Sequence, residues 1–242
     1  MTGDTHGDWI HRLNMDSFPE QKEMTKDDYV IVLGDFGIWS DSKEQRYKLQ
    51  WLQTRSFTTL FIDGNHENYD ILNAYPVEEW HDGKVHFIKP SVVHLMRGQI
   101  YSINGLTFFT FGGATSQDIS DGILEIDDPR VKEWKYDLDK MYRINHVSWW
   151  KEEMPSQEEM DEGMRNLERH GNKVDYILTH CTSSSMQALL SHGKYKHDQL
   201  TDYLESIKCN TDYQFWMFGH YHQNTAITAK DLLLYEQIIR IY

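Results

Sequence analysis

The chain reads as an α/β fold. Short apolar runs alternate with charged stretches of helical period, and the apolar runs end in polar turns that contain glycine. Where two alternating runs meet, at Asn104-Gly105, the joint is a two-residue hairpin signal.

Taken in order, the chain opens with MTGDTHGDW, in which Asp4 and His6 stand two apart. In extended backbone they face the same side, with Thr5 turned away. On its own this stretch reads as a polar turn. DYVIVLGD (28–35) and FTTLFIDGN (57–65) are predicted buried strands, separated by a helix around KEQRYKLQWLQ. QIYSINGLTFFTFGG (99–113) is the hairpin. KVDYILTH (173–180), YQFWMFGH (213–220) and LLLYEQIIRIY (232–242) are strand-like. The segment from about 114 to 170 differs, being rich in charge, Trp and Met. It is expected to be helical after Pro155, with Ser156 as cap and Glu159 at capping-box spacing. The organisation expected is one domain over 1–242 with a helical insertion at about 114–170 that overhangs the site.

At 242 residues the chain is long enough to bury a sizeable core. A net charge of −14 argues against a general grip on duplex nucleic acid or anionic membrane, since both call for a basic surface. The partner expected is a small anionic molecule drawn to a locally positive site; the oligomeric state is left open. Two cysteines, Cys181 and Cys209, are too few for a disulfide framework, and no apolar stretch is long enough for a signal peptide or membrane span. A reducing cytoplasm is the default expectation.

The predicted strands end in residues suited to binding metal. Gly34-Asp35 follows one, Gly64-Asn65-His66 another, His180 a third and GHYH (219–222) a fourth. Carboxylate, amide oxygen and imidazole nitrogen suit manganese, iron or zinc, and there are enough of them for two dications. In extended GHYH, His220 and His222 would face the same way. Asn65 and His66 are neighbours and cannot then point at one atom, so one is a ligand and the other is not.

The ordered series GDTHG, GDFG, GNHE, LTH and GHYH, from Asp4 to His222, resembles the motifs of the calcineurin-like metallophosphoesterases. The resemblance implies a four-layer αββα sandwich of two mixed sheets with metals at the strand ends. It implies that Asp4, His6 and His222 hold one metal, that Asn65, His180 and His220 hold the other, and that Asp35 bridges both. Manganese is the first choice, with iron, zinc or nickel as alternatives. A hydroxide shared by the metals would attack phosphorus in a phosphodiester or phosphomonoester. Asp35 and His66 would be the catalytic residues, His66 lying outside the ligand shell as general acid.

Two departures qualify the resemblance. Phosphoprotein phosphatases of this superfamily follow Gly-Asp with Asp-Arg-Gly and precede Asn-His with Arg, whereas this chain has GDFGIWSD and IDGNHE. The substrate expected is therefore a small phosphoester or nucleotide; a phosphoprotein phosphatase and a non-catalytic scaffold are the alternatives. Only residues 1–3 precede the Asp-x-His motif, so the first strand is very short or the chain begins further upstream. Arg143, or another arginine, is a candidate to replace the missing ones. Trp149 and Trp150 are read as packing residues rather than a base-stacking pair, Cys181 as a small buried hydrophobe, and His11, His81, His86, His94, His146, His170, His192 and His197 as non-ligands.

Overall fold

The computed structural model describes residues 1–241. Five strands form the first sheet: β1 (Tyr29–Leu33), β2 (Thr58–Ile62), β3 (Val77–Trp80), β4 (Gly83–Lys89) and β5 (Val92–Leu95), in the order β1-β2-β5-β4-β3. In the second sheet are β6 (Gln99–Ile103), β7 (Leu106–Phe111), β10 (Lys173–Thr179), β11 (Asp212–Phe218), β12 (Thr225–Ala226) and β13 (Asp231–Leu233), in the order β12-β13-β11-β10-β7-β6. The remaining strands, β8 (Gly122–Leu124) and β9 (Tyr142–Ile144), pair with each other as a separate two-stranded sheet. Helices α1 (Trp9–Arg12), α2 (Lys43–Gln53) and α3 (Tyr69–Leu72) go with the first sheet. Of the later helices, α4 (Pro129–Glu133) lies between β8 and β9, while α5 (Gln157–Arg169), α6 (Ser184–Ser191) and α7 (Gln199–Asn210) go with the second sheet.

The period-2 alternation of strands makes this a sandwich. On β1, Val30 and Val32 pack with Trp9, Leu49 and Leu52 of the helices, while Ile31 and Leu33 turn the other way, into the space between the sheets. There they meet Tyr101, Phe108, Leu178 and Met217 of the second sheet. Phe109, Phe111, Ile177 and Trp216 face outward again and pack beneath Met160, Leu167, Leu204 and Ile207 of α5 and α7. Three apolar layers thus separate helix, sheet, sheet and helix, which is the αββα order that the resemblance implies.

The hairpin forms between β6 and β7, with Asn104 at φ 52° and Gly105 at φ 79°, as a type I′ turn requires. The capping box is present: Ser156 Oγ accepts from the Glu159 N–H, and the Glu159 carboxylate accepts from the Ser156 N–H. Three expectations differ from what the structure contains. The strand expected over 232–242 is confined to β13, and the chain beyond it is irregular, with Tyr242 outside the described residues. The segment expected as a helical insertion is helical only at α4, at a short 3-10 turn over Lys151–Glu153 and at α5; most of 114–154 is irregular chain around β8 and β9, where turn-forming Asp is dense. Nor does α5 itself overhang the site: Met160 and Leu167 fix it to the core, since an amphipathic period does not say which layer a helix will cover, and the part of the segment that reaches the site is irregular chain, through Ser116 beside Asn65. The first strand is a single parallel bridge, Thr2 to Val32. Among the described residues no helix is long and apolar enough to cross a membrane.

Candidate metal centre

The parallel pairs β1/β2, β7/β10 and β10/β11 bring their carboxyl ends to one side, and every motif loop leaves from one of those ends or from the bridge at Thr2. Backbone bonds lock the GDTHG turn onto the GDFG turn. The N–H groups of Thr5 and His6 donate to the Asp35 carbonyl at 3.2 and 2.8 Å, and Gly7 donates to Phe36 at 2.9 Å. The Arg12 guanidinium holds the turn from behind, donating to the carbonyls of Asp4 and Tyr235 at 3.2 and 2.7 Å. A polar stretch at a chain end is held in place in this way.

Candidate ligand residues converge, though not by strand alternation. His6, Asp35, His220 and His222 all have φ between 42° and 70°, in the left-handed region that non-glycine residues seldom adopt. The expectation that Asp4 and His6, and His220 and His222, share a side because their backbone is extended is therefore corrected: tight turns aim them. Strain of this kind persists only where the surroundings fix it. Glycines make room for it. A Cβ on Gly34 would overlap the His180 ring, and one on Gly64 would overlap the Asp35 carboxylate.

Donor atoms of Asp4, His6, Asp35 and His222 lie within 4.8 Å of one another. His222 Nε2 is 3.1 Å from both Asp4 Oδ2 and His6 Nε2. On the other side of Asp35, His180 Nε2 lies 3.4 Å from Asp35 Oδ1 and 3.2 Å from Asn65 Oδ1, and the His220 ring stands 5.0 Å from the His180 ring. Asp35 Oδ2 faces His6 Nε2 at 3.8 Å. The His220 N–H donates to both oxygens of Asp4, at 2.9 Å to Oδ1 and 3.2 Å to Oδ2, and Oδ2 also faces His222. Tyr235 stacks on His222 with ring centroids 4.6 Å apart. Such a set of lone-pair atoms, mixed carboxylate, amide and imidazole, fits divalent cations of borderline hardness.

His66 is not among the four residues whose donor atoms cluster. Its N–H donates to Asp35 Oδ1 at 2.8 Å and its ring lies 5.5 Å from that of His6.

Electrostatics at the site are dominated by the carboxylates. Burial works against a charged Asp35, but His180, His66 and His6 outweigh it and hold the carboxyl well below its usual range. His180 is the counterpart: burial would lower its pKa, yet Asp35 and Asp4 push it up to about 10. His220, buried and facing His180, is lowered to about 4. His66 is lowered by burial, with Asp35 opposing and Arg143 adding to the effect. Arg143, on β9, pairs with Asp118, and its charge reaches both His66 and Glu153.

Several supporting residues escaped the sequence reading. Glu67, the last residue of GNHE, is fully buried and accepts from the N–H groups of Phe36, Gly37 and Ile38 at 2.6, 3.1 and 2.9 Å, so that one carboxylate holds the loop after Asp35. An acid inside a motif was the available signal. Trp39 is 47% exposed, and its indole donates to the His66 carbonyl at 2.8 Å. By contrast Trp150 is buried and donates to Asp70, which matches its reading as a packing residue. Cys181 is buried in the second-sheet core as expected. His86 and His94 are buried side by side, and His94 meets Asp63 at 3.1 Å.

A family model described as calcineurin-like phosphoesterase matches residues 1–224. No curated protein matches the chain.

Proposed function

Because the chain belongs to the calcineurin-like phosphoesterase family, we propose that it hydrolyses small phosphoesters with two divalent cations, manganese foremost. Asp4, His6 and His222 would hold one cation, Asn65, His180 and His220 the other, and Asp35 would span both. The observation behind this reading is the Asp35 carboxylate, whose two oxygens face separate imidazoles, His180 at 3.4 Å and His6 at 3.8 Å. A pair of cations in those places supplies an activated water as nucleophile and offsets the charge of the phosphoryl oxygens.

The other groups belong to the chain. His66, outside the ligand set, hands a proton to the departing oxygen. Burial holds its pKa down, and an incoming phosphate anion beside it favours the protonated ring again. Arg143 brings the positive charge that reaches His66, where the phosphoprotein phosphatases use arginines at other positions. The exposed Trp39 ring, tethered to His66, offers a flat apolar face to an aromatic leaving group or nucleobase. These features support a phosphodiester or nucleotide over a phosphoprotein, because a dianionic monoester depends more on a bidentate arginine fork.

The test is metal analysis of purified protein resupplied with manganese, with turnover of bis-nitrophenyl phosphate, nitrophenyl phosphate and a phosphopeptide measured in parallel. Two ions per chain and diester cleavage at least comparable with monoester cleavage are expected. Efficient phosphopeptide turnover without diester cleavage would restore the protein phosphatase alternative, and absence of all turnover in metal-loaded protein would favour the scaffold.

A further inference from the structure

Asn65 differs from the other candidate ligands in that residue type alone does not fix its donor atom. Its amide oxygen can bind a cation and its nitrogen cannot, and a half-turn of the amide exchanges them. The structure holds a device that decides between the two. Asn65 Nδ2 lies 3.2 Å from Ser116 Oγ. Ser116 Oγ donates its one proton to Glu153 Oε2 at 2.6 Å, while the Ser116 N–H donates to Glu153 Oε1 at 2.9 Å. With its proton committed, the hydroxyl can meet Asn65 only as an acceptor. Asn65 must therefore present its NH2 group to Ser116, which turns Oδ1 toward His180 and Asp35.

All three side chains are shut away from water, with Asn65 at 4%, Ser116 at 5% and Glu153 at 2% exposure, so a solvent molecule does not readily substitute for any partner. The device is also rooted in the strand that carries Asn65. Arg97 donates to the Glu152 carbonyl at 2.8 Å and forks onto Asp63, two residues before Asn65, at 2.8 and 2.5 Å. The chain of contacts from Asp63 through Arg97, Glu153 and Ser116 returns to Asn65.

We infer that Glu153 and Ser116 are positioning residues that select the cation-facing orientation of Asn65, and so govern loading of the Asn65–His180 side of the centre but not of the Asp4–His6–His222 side. This rests on Asn65 being a ligand, as proposed above. It also gives the 114–154 segment a part in metal binding, where the sequence shows no ligand motif.

Glu153→Gln makes the inference sharp. The Ser116 N–H keeps the Gln oxygen in place, so the new NH2 group must donate to Ser116 Oγ. The hydroxyl proton is then released toward Asn65, which turns its oxygen to Ser116 and its nitrogen to the cation. Replacing Asn65 by Asp as well removes the choice, because either carboxylate oxygen can ligate and Ser116 can donate to the other.

The experiment is manganese titration of the metal-stripped full chain, read by electron paramagnetic resonance and calorimetry, with thermal melts to confirm folding. Wild type should bind two ions. E153Q should bind one as wild type does and the second at least about tenfold more weakly, the usual scale for outer partners of metal ligands, and N65D/E153Q should recover the second ion. Ser116→Ala, a change small enough to keep the fold, removes the selection without reversing it. Halving the competent orientation should weaken the second site about twofold. Two wild-type affinities in E153Q or S116A, equal weakening of both sites, or no recovery in the double variant would overturn the inference while leaving the proposed function standing. Fewer than two ions in wild type would overturn the two-metal reading, and this inference with it.

Discussion

Asp63→Asn should be among the most destabilising substitutions that touch no candidate ligand. Asp63 and Arg97 are both buried. One carboxylate oxygen takes Arg97 Nε at 2.8 Å, Arg97 Nη2 at 2.5 Å and the Tyr69 hydroxyl at 2.9 Å, and the other meets His94 Nε2 at 3.1 Å. Asparagine keeps the volume and can still accept on the Arg97 side, so what is lost is the charge opposite a buried guanidinium. Breaking a buried pair from one side typically costs about 3–5 kcal/mol. In a chain of 242 residues each kcal/mol lowers the melting temperature by roughly 2–4 °C, so a drop of about 10 °C is expected by calorimetry. The sign with pH follows from the same contacts. Burial alone would raise the Asp63 carboxyl, but Arg97 and His94 outweigh it and hold its pKa well below the usual range. Its contribution is therefore complete above the unfolded pKa of about 4 and is lost as pH falls through the folded value, so the two melting curves should converge in acid. A variant melting within about 3 °C of wild type at neutral pH would refute the reasoning.

The remaining predictions concern the candidate centre. Asp35→Asn should abolish tight binding of both manganese ions, since one carboxylate faces both groups of imidazoles; retention of either at wild-type affinity in a titration would argue against its spanning role. His66→Ala should keep both ions and lose more turnover on alkyl than on nitrophenyl esters, because an acid matters most where the leaving oxygen is basic. Equal losses would remove it from that role. With His180 held up to about 10 in the cation-free protein, a proton must leave before its nitrogen binds metal. Apparent manganese affinity should thus climb between pH 6 and 9, with proton release visible as a buffer-dependent binding enthalpy; a flat profile would contradict the assignment.

The layers of the fold were legible because buried strands carry their own signal. Val30 to Leu33 and Leu60 to Ile62 are apolar on both faces, and a strand covered on both sides reads as such. Strands β4 and β5 escaped notice because His86, His94 and Lys89 interrupt their apolar run, and His94 faces inward to Asp63 while His86 meets His94. Identities at the candidate centre were legible from ordered motifs, but its geometry was not. Positive φ at His6 and His222 depends on what the turns pack against, and no local pattern announces it. Glu153 and Ser116 lie 37 residues apart and meet Asn65 only through the tertiary fold, so nothing in their neighbourhoods marked them.

The left-handed backbone at the candidate ligands sets stability against function. An L-residue held in that region forgoes roughly 1–2 kcal/mol that glycine would not. His6 and His222 are both held there, and glycine in either place would relieve that strain while costing about 0.5–1 kcal/mol in backbone entropy. In the absence of metal, His6→Gly should therefore raise the melting temperature slightly even as it deletes a ligand, whereas His222→Gly also gives up the pairing with Asp4 and the stacking on Tyr235. Selection for thermal stability alone, carried out on metal-free protein, would tend to erode this centre first, so directed evolution of a hardier variant has to keep metal present or screen for its binding.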